Sequence, residues 1–334
     1  MRTLADSSAR NENNFNLIRL VAAWLVIYGH SYAVTGSGGG DLLLQLVHIK
    51  FAGAIAVEMF FLISGFLIAA SVERNRLPQF LTARVLRIFP ALVVCVALSV
   101  FVLGPLLTNA PDYWDSSQTW KYLRRNILLQ ATQYDLPGVF QDLPMRAVNG
   151  SLWSLPIEFR LYLVLGALGL LRLLRAWRFN AVFVAGLVAA FVLLRDQPLS
   201  SVQSTQLWCV AFFAAGAFAW VNRARIPLAW PLLVALLAIA ALLRDGRYYP
   251  VAYFFALAYT TLFVAYVPRL PQIRHHDLSY GLYLYGWPSQ QLVLHFAPGT
   301  GPLFNTAWAT LLAGGLAALS WRFVERPALR LKSR

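Results

Sequence analysis

Residues 52–72 read AGAIAVEMFFLISGFLIAASV, an apolar run of bilayer length with a single acid, Glu58, inside it. A hydrocarbon core about 30 Å thick takes roughly 20 residues of helix. The run is therefore long enough to cross a membrane. Nine further apolar runs accompany it, at 15–35, 84–107, 152–173, 180–195, 205–222, 228–243, 250–267, 279–297 and 303–323. The fold class this predicts is all-α, a polytopic membrane helix bundle of about ten transmembrane helices. The first run carries Arg19 and His30 and has no small-x-small cleavage site, so it reads as a retained span rather than a removed signal.

Composition agrees. Of 334 residues, 59% are hydrophobic and only 13% charged, and the mean hydropathy is +0.58. Such a chain is neither disordered nor an ordinary soluble enzyme. Its net charge of +14 does not point to nucleic acid, because the basic residues stand in ones and twos between apolar runs. Cys95 and Cys209 both lie inside runs and imply neither a disulfide nor a metal site. The longest connection, 108–151, holds a short amphipathic piece from Trp120 to Gln130 suited to the membrane surface. We read 1–334 as one integral-membrane domain with no appended soluble domain. An even number of spans puts both termini on one side. The segments on that side, with Arg10, Arg274 and Arg334 among them, hold nearly twice as many Lys and Arg residues as the opposite side, where Arg195 lies. The positive-inside rule then makes the termini cytoplasmic.

Ionisable groups inside spans are costly and are functional candidates by default. Among the acids, Glu58 and Glu158 fall well inside runs. Among the histidines only His30 does; His295 is near a span end, and His48, His275 and His276 are in loops. At 1.5 Å per residue, His30 lies roughly 22 Å from the cytoplasmic entry of its span, and Glu58 and Glu158 each lie about 9 Å from the outer entry of theirs. All three fall in one outward layer. A second layer is basic: Arg19, Arg84 and Arg87 stand near cytoplasmic ends, and the spacing of Arg84 and Arg87 puts them on one helix face. Lone arginines there snorkel to headgroups. A pair also suits phosphate, which the guanidinium fork binds bidentately.

These residues resemble the signatures of the bacterial integral-membrane acyltransferases called acyltransferase type three. Arg19 and His30, separated by ten residues, match the first. The run Ala56 to Leu67 is similar to the second-helix motif. Arg84-Val85-Leu86-Arg87, followed by Pro90, is similar to an Arg-x-x-Arg motif, and Ser151-Leu152-Trp153-Ser154-Leu155-Pro156-Ile157-Glu158 to a Ser-Leu-Trp-Ser-Leu-x-x-Glu motif. Ser279 to Leu284 and Phe323 to Pro327 are similar to late motifs. One departure is Gly286, where many members have histidine in Tyr-Leu-x-His-x-Pro.

The resemblance implies a membrane O-acyltransferase of the bacterial inner membrane. It would move an acyl group, by family habit acetyl, from cytoplasmic acyl-coenzyme A (acetyl-CoA) to a hydroxyl of a cell-surface polysaccharide or its lipid-linked precursor. No metal is implied, and the expected partners are acyl-CoA, a carbohydrate acceptor and membrane lipid. Arg19, Arg84 and Arg87 would hold the donor. His30 would act as general base with Glu158 orienting it, or as the nucleophile through an acyl-histidine. Glu58 is either the orienting carboxylate or a ligand of sugar hydroxyls. Ser151 and Trp153 are further substrate-binding candidates, and Trp24, Trp153 and Trp287 are suited to stack on sugar rings. A proton-coupled transporter or flippase, and an acyl-presenting partner of a separate transferase, are the alternatives.

Overall fold

The computed structural model describes residues 2–9, 12–194, 198–273 and 276–332. Arg10, Arg195, Arg274 and Arg334, which enter the charge asymmetry, and the loop histidine His275 lie outside them. The regular elements of the described residues are all helices, without β-strands. We label the principal helices α1 (Phe15–Val34), α2 (Ala52–Arg74), α3 (Leu77–Leu98), α4 (Ser117–Ile127), α5 (Ser154–Leu170), α6 (Ala176–Leu194), α7 (Ser201–Val221), α8 (Trp230–Leu242), α9 (Tyr249–Tyr266), α10 (Ser279–Phe296) and α11 (Pro302–Ser320).

Eight helical stretches are long and apolar enough to cross a membrane: α1, α2, α3 extended to Leu107, α5 with the turn before it, α6, α7, α9, and α11 extended to Arg330. The other two apolar runs of the sequence also form helices. The run 228–243 becomes α8, which at 13 residues is short for a span. The run 279–297 becomes α10, long enough at 18 residues but too polar to stand out by hydropathy. The amphipathic piece of the long connection forms α4, with Trp120 exposed and Tyr122 fully buried.

The chain forms two compact units. The first comprises Met1–Arg19, Val57–Phe80 and Arg160–Ile273. Its core packs Phe15, Phe66, Trp220 and Tyr266 ring against ring. Within it α2 and α7 approach backbone to backbone. A Cβ on Gly65 would stand 1.9 Å from the Phe213 carbonyl oxygen, and one on Gly216 would stand 2.0 Å from that of Leu62. Small residues permit such approaches between membrane helices, where dispersion contacts replace the hydrophobic effect as the main attraction.

The second unit comprises Leu20–Ala56, Leu81–Phe159 and Arg274–Arg334. Its centre is α10, buried along almost its whole length. Neighbours on several sides touch it: Ile27 and Ser31 of α1, Ile88 and Cys95 of α3, Asn149 to Ser154 ahead of and at the start of α5, and Asn305 of α11. Pro288 lies inside α10. A helix-interior proline donates no hydrogen bond to the carbonyl four residues earlier, here Leu284. Asn149 supplies the missing donor: its Nδ2 reaches the Leu284 oxygen at 2.9 Å, while its Oδ1 accepts from the Ser151 amide at 3.1 Å. The carbonyl that Pro288 leaves without a helical donor thus anchors the segment that leads into α5.

Candidate active site

His30 stands near the end of α1, partly buried between two aromatic rings. Its ring centroid is 5.2 Å from Phe51 and 5.0 Å from Trp287. The preceding residue explains the fit. A Cβ on Gly29 would lie 2.4 Å from the Gly53 amide nitrogen and 2.9 Å from the Phe51 ring, so only glycine lets the start of α2 come so close. Asp41 ties down the connection between α1 and α2. Its carboxylate accepts from the Leu44 amide at 3.0 Å and from the Ala52 amide at 2.9 Å, and it lies within electrostatic reach of His30. Asp41 is 1% exposed.

On the other side of His30, Trp287 donates its indole N–H to the Ala147 carbonyl at 2.9 Å. One turn further along α10, Gln291 donates to the same oxygen at 2.7 Å. Non-helical backbone ahead of α5 is therefore satisfied by side chains of α10, as buried irregular backbone in a membrane protein must be. The turn of α1 that carries His30 is held by a buried polar network. Ser31 Oγ donates to the Ile27 carbonyl at 2.9 Å, Gln290 Nε2 donates to that carbonyl at 2.8 Å and to Ser31 Oγ at 2.7 Å, and Thr306 meets Ser31 at 2.8 Å. Asn305 donates to the Gln290 carbonyl at 2.9 Å. Gly286 belongs to this packing: a Cβ there would meet Ile27 Cγ1 at 2.8 Å. The position that is often histidine in similar sequences is here a seat for α1.

The Ser151-to-Glu158 motif runs antiparallel to α10. Tyr283 donates to the Ser151 carbonyl at 2.8 Å and hydrogen-bonds the Ser154 hydroxyl at 2.6 Å. Ser151 Oγ is buried and finds no hydrogen-bond partner among the described residues. Trp153 is partly buried. Glu158, a turn beyond Ser154, lies within electrostatic reach of Tyr280, as do Arg87 and Glu325.

That end of α10 carries the cations. Arg87 forms an ion pair with Asp277 and a second, at 3.6 Å, with Glu325, and its guanidinium lies 5.6 Å from the Tyr280 ring centroid. Tyr280 donates to the Ile88 carbonyl at 2.8 Å. Asp277 also accepts from the Ser279 amide at 3.2 Å and so caps α10. Glu325 ends a π-helical turn, Trp321–Glu325, that continues α11, and it accepts from Ser320 Oγ at 3.1 Å. Arg84 is partly buried on the same face of α3 as Arg87. Lys332 stands within electrostatic reach of both arginines. Burial, followed by those two charges, holds its ammonium below the usual lysine range.

The sequence-derived site residues thus fall at two levels of the second unit. His30 stands at Trp287, Arg87 and Glu158 stand at Tyr280, and seven residues of α10 separate the levels, about 10 Å. Ser151 lies between them. Arg19 and Glu58 belong to the first unit, where Arg19 is partly buried and Glu58, 2% exposed, accepts a hydrogen bond from the Tyr253 hydroxyl. Trp24 is 39% exposed and stacks on Tyr28 at 5.6 Å. Asp41, Asn149, Asp277 and Gln290 are site neighbours that motif reading passed over. The proline inside a buried helix was the available signal for Asn149, because it announces a carbonyl in need of a donor.

The structure is that of a multi-pass helical membrane protein with a histidine and a cationic cluster ranged along one buried helix. The chain belongs to the family described as Acyltransferase domain, which matches residues 12–324, and it is an acyltransferase. It is 29% identical to the O-acetyl transferase of Shigella phage Sf6 over 333 residues, 96% of this chain and 97% of that protein. It is also 29% identical to Nodulation protein 10 of Rhizobium leguminosarum bv. viciae, covering 98% of this chain and 96% of that protein. A shorter likeness, 29% over 119 residues, relates it to Acyltransferase MdmB of Streptomyces mycarofaciens, covering 35% of this chain and 29% of that protein. No solved structure matches the chain.

Proposed function

We propose that the protein is an O-acetyltransferase of the bacterial inner membrane, with ten spans and cytoplasmic termini, built as one catalytic domain. It takes acetyl from acetyl-CoA and places it on a hydroxyl of a cell-surface polysaccharide or its lipid-linked precursor. The observation that carries this reading is the arrangement along α10: cations at one end, a histidine about 10 Å away at the other. A phosphate-rich donor matches the first and an alcohol acceptor needs the second.

In this reading Arg84 and Lys332 contact the donor phosphates. Arg87, already engaged by Asp277 and Glu325, holds the shape of that end. The thioester lies along the α10 face between Tyr283 and Trp287. A sugar hydroxyl is a poor nucleophile at neutral pH, so it needs a base of near-neutral pKa within hydrogen-bond reach. His30 takes the hydroxyl proton, the oxygen attacks the thioester carbonyl, the C–S bond breaks, and the imidazolium returns the proton to the departing thiolate. The imidazolium is stabilised by a carboxylate. Asp41 is the acid beside His30, and Glu158 is the acid of the motif. The unpartnered Ser151 hydroxyl is positioned to hydrogen-bond substrate, and Trp153 and Trp287 offer sugar-stacking faces. The test is transfer by purified protein from labelled acetyl-CoA to surface polysaccharide. Acceptor-dependent ester formation is expected. Thioester hydrolysis that ignores the acceptor, or no thioester use at all, contradicts the reading.

A further inference from the structure

The first unit has two openings that the acyl-transfer reading does not use. One is a pocket of about 610 Å³ whose lining includes Ala5, Glu73, Arg172, Arg175, Trp220 and Arg223. The other is an apolar groove of about 320 Å³ bounded by α5, α6 and α7. They follow one another along each helix. On α5 the groove takes Leu161 to Leu168, and the pocket takes Arg172 just past the helix end. On α6 the pocket takes Ala176 and the groove takes Phe179 to Ala190. On α7 the groove takes Leu207 to Ala217 and the pocket begins at Trp220.

The pocket is basic. Arg223 lies 4.0 Å from the Trp220 ring centroid and pairs with Glu73 at 3.4 Å. Arg172 and Arg175 are exposed, and among the described residues neither has a side-chain ion pair. Three guanidinium groups against one carboxylate leave an excess of positive charge. The depth of the pocket in the membrane is marked by Trp177, 70% exposed with the Arg178 guanidinium 5.0 Å from its ring centroid. Tryptophan and arginine side by side at a helix end belong at the headgroup level. The groove starts there and runs towards the bilayer centre. From Phe179 to Ala190 it spans about 16 Å of helix. One leaflet of hydrocarbon is about 15 Å thick, half of the core. Its wall is open at Gly186, where a Cβ would meet nothing within 4 Å.

We propose that the first unit binds a membrane phospholipid with an anionic headgroup. Arg172, Arg175 and Arg223 hold the headgroup phosphate, and one acyl chain occupies the groove between α5, α6 and α7. Charge complementarity selects the headgroup, and the match of groove length to one leaflet selects a lipid over a soluble phosphate. Every residue named for this site belongs to the first unit, and its test needs no activity.

The full chain, purified in a neutral detergent, is offered phosphatidylglycerol or phosphatidylcholine of the same acyl composition, and retained lipid is read by native mass spectrometry. Phosphatidylglycerol is expected to be retained at least tenfold better. A basic residue near a membrane surface is worth about fivefold in binding, so Arg172→Ala with Arg175→Ala lowers retention roughly 30-fold. Gly186→Leu fills the open wall, favours the helix, and lowers retention with no change of charge. Circular dichroism of both variants reports that they remain folded, and retention is scored on the folded fraction. Equal retention of the two lipids, or unchanged retention in either variant, overturns the proposal. So does displacement by glycerol phosphate, coenzyme A or a polyprenyl phosphate that matches or exceeds displacement by phosphatidylglycerol.

Discussion

Helices α6 and α10 have nearly the same length, 19 and 18 residues, and opposite surroundings. Of the two, α6 is the more apolar, and its Val184, Leu187, Val188 and Phe191 are each more than half exposed. By contrast α10 carries Ser289, Gln290 and Gln291 and is buried along most of its length, with only His295 and Phe296 at its end exposed. Lipid demands hydrophobicity only of what touches lipid. A helix surrounded by other helices can carry amides and hydroxyls where protein groups receive them: the side-chain N–H groups of Gln290 and Gln291 find carbonyl and hydroxyl acceptors, while Ser289 Oγ and Gln291 Oε1 have no partner among the described residues. Hydropathy therefore singles out the lipid-facing helix and passes over the one along which the proposed active site lies.

The contrast can be broken most forcefully at the start of α10. Arg87 holds Asp277, which caps the helix, and Glu325, which is 2% exposed. Removing one partner of a buried ionic cluster strands the others, at a cost of about 3–5 kcal/mol. Arg87→Ala should lose stability of that order in denaturant unfolding, and Arg87→Ala with Asp277→Ala should lose less than the sum of the single changes. Val188→Ala on α6 should stay within about 0.5 kcal/mol. Comparable losses for Arg87→Ala and Val188→Ala would erase the difference between the two helices.

A smaller effect sharpens the same point. Asn149→Ala leaves the Leu284 carbonyl with only the weak Cys95 thiol donor at 3.6 Å and should cost about 1–3 kcal/mol. The reason is Pro288. In a Pro288→Ala background the helix supplies its own donor to that carbonyl, so Asn149→Ala should then cost clearly less. An unchanged cost in that background would show that Asn149 acts elsewhere.

The weakest expected effect is a pH dependence. Lys332 is held below the usual lysine range by burial and by the Arg84 and Arg87 charges. Donor phosphates favour the ammonium form, so donor affinity should fall as pH rises through that lowered value, ahead of ordinary lysines. Lys332→Ala should bind the donor a few-fold more weakly at neutral pH and lose this alkaline limb. Isothermal titration of coenzyme A across pH reads both, and an identical pH profile in the variant would remove Lys332 from the donor site.

Much of the architecture was legible in residue order. The apolar runs of α1, α2, α6 and α7 became helices within a few residues of their expected ends, since an uninterrupted apolar run has few other ways to satisfy its backbone in lipid. The site was legible one coordinate at a time. Counting 1.5 Å per residue gives depth but not azimuth, and it depends on where the chain enters the membrane. That count set Glu158 level with His30. In the structure the non-helical backbone around Ala147 is packed against Trp287 and Gln291, and Glu158, further along the motif, is within electrostatic reach of Tyr280. Asp41 was hidden for a different reason. It sits in a loop outside every run, and only the fold of that loop over Gly29 brings it towards His30.

In the proposed reaction His30 performs the proton chemistry, which single-turnover transfer from labelled acetyl-CoA reads out. The comparison uses purified, monodisperse wild type, His30→Ala, Asp41→Asn and Glu158→Gln. General base catalysis contributes about 10²–10⁴-fold. His30→Ala should lose at least that much while still binding coenzyme A, and the variant of whichever carboxylate stabilises the imidazolium should show the larger loss of the two acids. Transfer by His30→Ala at close to the wild-type rate would contradict the account.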